Sequence, residues 1–149
     1  MSPLYVINGP NLNRLGKREP EIYGYTTLAE VEAMCRGAAG ARPVVFQQSN
    51  FEGEIVNLVH QAIDLPAAGI IINPAALTFT SIAVLDALKM FPGPIIELHI
   101  SNIHKREAIY HNSLVSKVAT AVIAGLGPEG YGVAVQAIEG LIRKAVIKA

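Results

Sequence analysis

The sequence predicts an α/β fold built on a parallel sheet. Three observations carry this. Short apolar, β-branched runs alternate about five times with longer amphipathic stretches, the order of repeated strand–helix units. One short run, Gly69 to Ile72, is continuously apolar, the mark of a strand covered on both faces. The length, 149 residues, suits one core and one domain spanning 1–149. Right-handed crossovers leave few topologies, and a single doubly wound sheet of about five strands is the simplest.

The elements follow in order. Leu4 to Asn8 is short and apolar and ends at Gly9-Pro10, a turn signal. Asn11 to Tyr25 is polar, charged and broken by Pro and Gly. It is too long for an ordinary strand-to-helix connection, and such loops serve as lids or binding loops. Thr27-Leu28-Ala29-Glu30 reads as a capping box opening a helix that ends near Gly40. Val44 to Phe46 is the second strand. Ser49-Asn50-Phe51-Glu52 reads as another capping box, opening a helix with Ile55, Leu58, Val59 and Ala62 on one face. The third strand, Gly69 to Ile72, stops at Asn73-Pro74. Thr80 or Ser81 caps a third helix, Ile82 to Lys89. Pro94 to Leu98 is the fourth strand, ending at His99, and Ala119 to Ala124 is the fifth. Gly127-Pro128 begins the last helix, with Pro in the first turn where its missing N–H costs nothing.

Composition narrows the function classes. Hydrophobic residues make up 51% and charged residues 16%, below the roughly 25% charged of an ordinary domain. The net formal charge is zero, without the basic stripe of a nucleic-acid binder, so no nucleic-acid partner is expected. No apolar run approaches the roughly 18 residues of a membrane span, and the start lacks the charged and apolar regions of a secretory signal. The single Cys, Cys35, allows neither a disulfide framework nor a Cys-based zinc site. A soluble, reduced, cytoplasmic protein with surplus apolar surface is expected.

In open parallel sheets the ligand sits beyond the carboxyl ends of the strands. Strand one delivers Asn8 and Asn11, strand three Asn73, and strand four Glu97, His99, Ser101 and Asn102. The loop after strand one brings Arg18 and Tyr23. This set holds no nucleophile elbow and no His-Glu-x-x-His. It offers a histidine for acid–base work, asparagines to hold an oxyanion, and a Tyr near an Arg, whose charge favours phenolate. Tyr with His suits proton abstraction beside a carbonyl followed by protonation of a leaving group. Each residue also has a plainer reading: His99 as a structural residue, Asn73-Pro74 as a turn, Tyr23 as a loop anchor.

Other signals are weaker. Gly125 to Gly130 matches G-x-G-x-x-G, but too little chain follows for a dinucleotide unit, so it reads as a turn and cap. His99, His104 and His111 fit no standard metal spacing, and no metal or cofactor is expected. His104-Lys105-Arg106-Glu107 reads as a solvated helix start, and Cys35 and His60 as packing residues.

Asn8-Gly9-Pro10-Asn11-Leu12-Asn13, Arg18-Glu19-Pro20, Tyr23-Gly24, Asn73-Pro74, Thr80-Ser81, Glu97 to His104 and Gly125-Leu126-Gly127 together resemble the signature of type II 3-dehydroquinate dehydratases. The resemblance runs from about Leu4 into the last helix. It implies a flavodoxin-like fold with strand order 2-1-3-4-5, assembled as trimers that form a dodecamer. The implied reaction dehydrates 3-dehydroquinate to 3-dehydroshikimate in the shikimate pathway, without a metal or organic cofactor. By position, Tyr23 would take the C2 proton, its phenolate favoured by Arg18. Asn11 would stabilise the enolate through a water. His99 would protonate the departing hydroxyl, oriented by Glu97. Asn73 and the backbone N–H groups of Ile100 and Ser101 would hold substrate, and Asp86 would reach a neighbouring subunit's site.

Three positions depart from the family pattern. Phe79 stands in place of a His and Leu85 in place of an Arg. Tyr110 stands in place of an Arg that binds ring hydroxyls. An unmatched buried hydroxyl costs about 1–3 kcal/mol, and Tyr lacks Arg's paired donors. His111 or Asn112 would have to compensate. Three readings stay open: an ordinary dehydratase with an altered pocket; a dehydratase of a less hydroxylated or amino-substituted analogue; and a non-catalytic binding or structural assembly. Retention of Asn11, Arg18, Tyr23, Asn73, Glu97 and His99 together speaks against the third.

Overall fold

The computed structural model describes residues 1–148. Five parallel strands form one sheet: β1 (Leu4–Asn8), β2 (Val44–Gln48), β3 (Gly69–Asn73), β4 (Ile95–His99) and β5 (Ala121–Ala124), in the order β2-β1-β3-β4-β5. This is the flavodoxin-like order. Every residue of β1, β3 and β4 is buried, whereas the edge strands β2 and β5 are partly exposed. Strand alternation sorts the core into two layers. Leu4, Val6, Ile71, Ile96 and Leu98 face one way, against α2 (Leu28–Ala39) and α6 (Gly130–Lys148). Tyr5, Ile7, Ile70, Ile72 and Ile95 face the other, against α3 (Glu52–Asp64) and α5 (Ile82–Lys89). Burying each of the largest aliphatic side chains contributes about 1.5–3 kcal/mol.

Local chemistry sets the helix ends, in most places as the sequence indicates. Thr27 Oγ1 accepts from Glu30 N at 3.2 Å and opens α2, which stops at Gly40 with φ +60°. Ser81, rather than Thr80, caps α5 by accepting from Val84 N at 2.9 Å. Thr80 instead ends a short helix, α4 (Leu77–Thr80), that the sequence pattern does not reveal. The second capping box needs correction. Phe51 holds the N-cap position of α3, and Ser49 lies two residues upstream, accepting from Phe51 N and donating to Glu54. The box fails because Ser49 Oγ is taken up by Phe51 N, two residues on, rather than by an N–H of the helix. The fifth strand is shorter than expected, starting at Ala121. The last helix is preceded by a 3-10 turn, Gly127–Glu129. The loop after β1 is partly ordered by a 3-10 turn, Leu12–Arg14, and by α1 (Pro20–Tyr23).

The strand order reverses between β1 and β3, so their carboxyl ends open a crevice. At Gly9 the chain leaving β1 passes so close to the loop after β3 that a Cβ would meet the Pro74 carbonyl oxygen at 2.3 Å. Only glycine fits there. Gly9 N also donates to Asn73 O at 2.8 Å, tying the two strand ends together at the rim of the crevice.

Candidate active site

A cavity of about 340 Å³ opens at the carboxyl ends of β1, β3 and β4, within the size range of small-ligand sites. The loop after β1 lines it with Asn11, Arg18, Glu19 and Tyr23. The end of β3 and its loop supply Asn73, Ala75 and Phe79. The end of β4 and the chain beyond supply His99, Ile100, Ser101, Arg106 and Tyr110. Among the described residues three that are not glycine have positive φ, Asn11 (72°), Glu19 (36°) and Ala75 (52°), and all three line this cavity. Such conformations cost about 1–3 kcal/mol each and concentrate where backbone is held for function.

Strand periodicity places the acid–base pair. Glu97 and His99 are two residues apart in β4, so they share the face opposite Ile96 and Leu98. Glu97 is fully buried behind His99 and is not part of the cavity wall. Its carboxylate accepts from His99 Nε2 at 2.5 Å, from Ser116 Oγ at 2.5 Å and from Ser113 Oγ at 2.8 Å. Burial pushes the Glu97 carboxyl up, but the bonds from His99, Ser116 and Ser113 and the attraction of His99 outweigh it. The net result lies below the usual carboxylate range. Glu97 is therefore a buried anion with a fixed partner, and it fixes the His99 ring.

Two asparagines sit on the other face of the sheet, at paired positions Asn8 and Asn73. Tyr131 of α6 bridges them: its hydroxyl donates to Asn8 Oδ1 at 2.7 Å and accepts from Asn73 Nδ2 at 3.0 Å. Asn73 Oδ1 also accepts from Ala75 N at 3.3 Å. Asn73 is thus held at the cavity wall, whereas Asn8 is fully buried and turned away from it. Burial pushes the Tyr131 phenol well above its ordinary value, so it works as a neutral donor and acceptor.

Tyr23 is flanked by two guanidinium groups. Arg106 Nη1 donates to its hydroxyl at 3.0 Å, and Arg18 lies over its ring, with Cζ 4.5 Å from the centroid. Arg18 also pairs with Glu19 at 3.1 Å. The sequence reading gave Arg18 the role of the phenol's cation. The structure adds Arg106, which makes the bond to the oxygen itself. In the run His104 to Glu107, His104, Lys105 and Glu107 are exposed beside a 3-10 turn, Ile103–Lys105, as a solvated helix start would be, but Arg106 is half-buried and turns into the cavity. Opposite stand the departures from the family pattern. The Phe79 ring lies 6.3 Å from His99, tilted by 22°, and meets Tyr110 edge to face at 5.4 Å.

Other expected residues fall elsewhere. Asp86 is exposed on α5, 3.6 Å from Lys89 and outside this chain's own cavity. Leu85 is buried beside it and does not line the cavity. His111 does not replace a lost hydrogen-bonding group in the pocket: its Nε2 donates to the Arg106 carbonyl at 2.6 Å. Asn102 caps the turn after β4 by accepting from His104 N. Among the described residues no group of three His, Cys, Asp or Glu is placed to hold a metal ion. Burial, with the Glu32 charge beside it, pushes the Cys35 thiol up to about 12, so it packs as an inert group.

Sequence reasoning missed Arg106, Tyr131, Ser113 and Ser116. Two of these carry a readable signal. A tyrosine on the apolar face of a helix needs a partner for its hydroxyl. An arginine a few residues past the end of a central strand is within reach of the crevice. Nothing local marks the two serines.

The comparisons agree with this geometry. A sequence model described as dehydroquinase class II matches residues 2–139. The chain is 55% identical over 147 residues to 3-dehydroquinate dehydratase 2 of Agrobacterium fabrum, covering 97% of this chain and 99% of that one. It is 56% identical over 137 residues to the 3-dehydroquinate dehydratase of Cereibacter sphaeroides, covering 91% and 92%. Among solved structures, type II dehydroquinase from Propionibacterium acnes superposes with a TM-score of 0.88 at 42% identity, covering 94% of this chain and 98% of that one. The enzyme from Butyrivibrio crossotus gives 0.89 at 38% identity, covering 93% and 97%. With the fold and these matches in agreement, the chain belongs to the class II dehydroquinase family.

Proposed function

We propose that this chain is a 3-dehydroquinate dehydratase, converting 3-dehydroquinate to 3-dehydroshikimate and water in the shikimate pathway. One observation carries the reading most directly. A single cavity presents a phenol bonded to a guanidinium and an imidazole bonded to a buried carboxylate, a base and an acid for the two proton transfers of an elimination.

The steps follow from these roles. Tyr23, with Arg106 on its oxygen and Arg18 over its ring, takes the C2 proton. The electron pair passes toward the ketone, giving an enolate that Asn11 stabilises through a water. His99, oriented by Glu97, gives its proton to the C1 hydroxyl. The C1–O bond breaks, water departs, and the C1=C2 double bond forms as the ketone is restored. Asn73, fixed by Tyr131, and the backbone N–H groups of Ile100 and Ser101 hold the substrate. Phe79 and Tyr110 form an aromatic wall beside it. None of these steps calls on a metal or an organic cofactor.

We further read residues 1–149 as one catalytic domain that assembles as trimers within a dodecamer, with the partner subunit's Asp86 completing the site. Support comes from exposed apolar side chains that need cover, among them Phe51, Ile82 and Ile109. Among the described residues no helix is long and apolar enough to cross a membrane. We read the protein as a cytoplasmic enzyme acting on a small molecule, with neither nucleic acid nor membrane as a partner. Sedimentation of the purified protein tests the assembly: a dodecamer is expected, and a monomer at micromolar concentration refutes it.

The activity is tested by adding 3-dehydroquinate to purified protein and following the ultraviolet absorbance of the conjugated enone. Turnover is expected, with 3-dehydroshikimate identified by NMR. No turnover of 3-dehydroquinate, with turnover of a less hydroxylated analogue, refutes the substrate assignment. No turnover of either refutes the catalytic reading.

A further inference from the structure

We propose that Tyr110 is a positioning residue: its ring carries the guanidinium of Arg106 and holds it on the hydroxyl of Tyr23. The inference deepens the dehydratase reading and rests on it for the role of Tyr23.

The geometry forms a continuous stack. Arg106 Cζ lies 4.1 Å from the centroid of the Tyr110 ring, well inside the roughly 6 Å range of a cation–π contact. On its other side the same guanidinium donates to Tyr23 Oη at 3.0 Å, with Cζ 5.8 Å from that ring. The Tyr110 ring is itself fixed by its edge-to-face contact with Phe79. Among the described residues no carboxylate stands within 4 Å of Arg106, so no ion pair orients it. An arginine side chain has several free torsions and loses considerable freedom when fixed. The ring face is the contact that fixes it.

The backbone is held from the same segment. Tyr110 ends a 3-10 turn, Ala108–Tyr110, closed by Tyr110 N donating to Glu107 O at 2.9 Å. The next residue, His111, donates from Nε2 to the Arg106 carbonyl at 2.6 Å. One short turn therefore grips Arg106 at its carbonyl and at its guanidinium. Phe79 and Tyr110 thus have a joint consequence: they form an aromatic platform that places a cation on the phenol oxygen. Tyr23 needs this. It sits at the end of a four-residue helix in the loop after β1, with little of its own to fix the oxygen.

The test compares Tyr110→Phe, which keeps the ring, with Tyr110→Leu, which removes it, using 3-dehydroquinate as substrate. Tyr110→Leu is expected to lower kcat about 10-fold, a larger change than in KM, because the guanidinium acts on the proton transfer. Tyr110→Phe is expected to lose much less kcat than Tyr110→Leu. In an Arg106→Met background, Tyr110→Leu should cost little more, since its effect runs through Arg106. A crystal structure of Tyr110→Leu should show Arg106 displaced from Tyr23 Oη. This structural readout stands without activity, and Tyr110→Val serves if Tyr110→Leu does not fold. Wild-type kcat in Tyr110→Leu overturns the proposal. So does an equal kcat loss in Tyr110→Phe, full additivity with Arg106→Met, or an undisplaced Arg106. Absence of turnover in the wild type would instead refute the dehydratase reading, leaving the structural arm to decide the inference.

Discussion

Replacing Glu97 by Gln should isolate what the buried negative charge behind His99 contributes to the acid step. The change keeps shape and removes one charge. In the native protein a fully buried carboxylate accepts three hydrogen bonds, from His99, Ser116 and Ser113, at 2.5, 2.5 and 2.8 Å. The amide brings two donors where three donors already converge. With its oxygen at the position that His99 and Ser113 share, the amide still accepts from both, and its NH2 faces Ser116, whose hydroxyl must rotate to accept. The charge matters more when His99 is protonated. A pair about 4 Å apart, charge centre to charge centre, interacts by about 4 kcal/mol at an effective dielectric of 20. Structural relaxation and the bonds that remain recover part of this, so kcat is expected to fall by roughly 10²–10³-fold. KM should change little, since Glu97 does not line the cavity. The assay is enone absorbance with 3-dehydroquinate at saturating concentration. A kcat within about 5-fold of wild type would refute the claim that the carboxylate charge serves the acid step. The same variant has a thermodynamic signature. The folded Glu97 carboxyl lies below its unfolded value of about 4.3. Its contribution to stability is therefore present above that value and is lost as pH falls through the lower folded value. Glu97→Gln should flatten the acid limb of stability against pH. An unchanged slope in acid urea melts would show that Glu97 is not the group responsible.

Further outcomes follow from the same geometry. Tyr23→Phe should abolish measurable turnover while leaving the circular dichroism and sedimentation of the protein unchanged, because Tyr23 is half-buried in a surface loop. Near-full activity would show that another group takes the C2 proton. Tyr131→Phe removes the hydroxyl shared by Asn8 and Asn73 in a buried site. A loss of about 1–3 kcal/mol in urea unfolding is expected, with a raised KM, and unaltered stability would mean that water replaces the hydroxyl. Phe79→His places a hydrogen-bonding group where the cavity wall is apolar. KM for 3-dehydroquinate should fall about 5–10-fold, the worth of one hydrogen bond, and an unchanged KM would show that this wall does not meet a substrate hydroxyl.

The order of strands and helices, their parallel arrangement and the strand ends where ligand chemistry collects are all legible in the amino-acid sequence. These depend on local quantities: apolar periodicity, Gly and Pro at turns, and a cap such as Thr27 within three residues of its partner. The family signature added the separate roles of Tyr23 and His99, which spacing alone left open. Local patterns misled where two solutions share one pattern. Ser49 and Glu52 fit a capping box, yet Phe51 is the cap, because Ser49 Oγ is taken up by Phe51 N. Which groups hold Tyr23, Asn73 and His99 in place is a matter of contacts made in the fold. Arg106 meets Tyr23 across 83 residues of chain, and Tyr131 reaches Asn8 across 123. Such partners are set by how the crossovers bring strand ends and loops together, which no window of sequence contains. The aromatic residues at 79 and 110 are the clearest instance. In the sequence they register only as the loss of an imidazole and a guanidinium. In the fold their rings meet each other and Arg106, because the loop after β3 and the turn after β4 converge over one cavity.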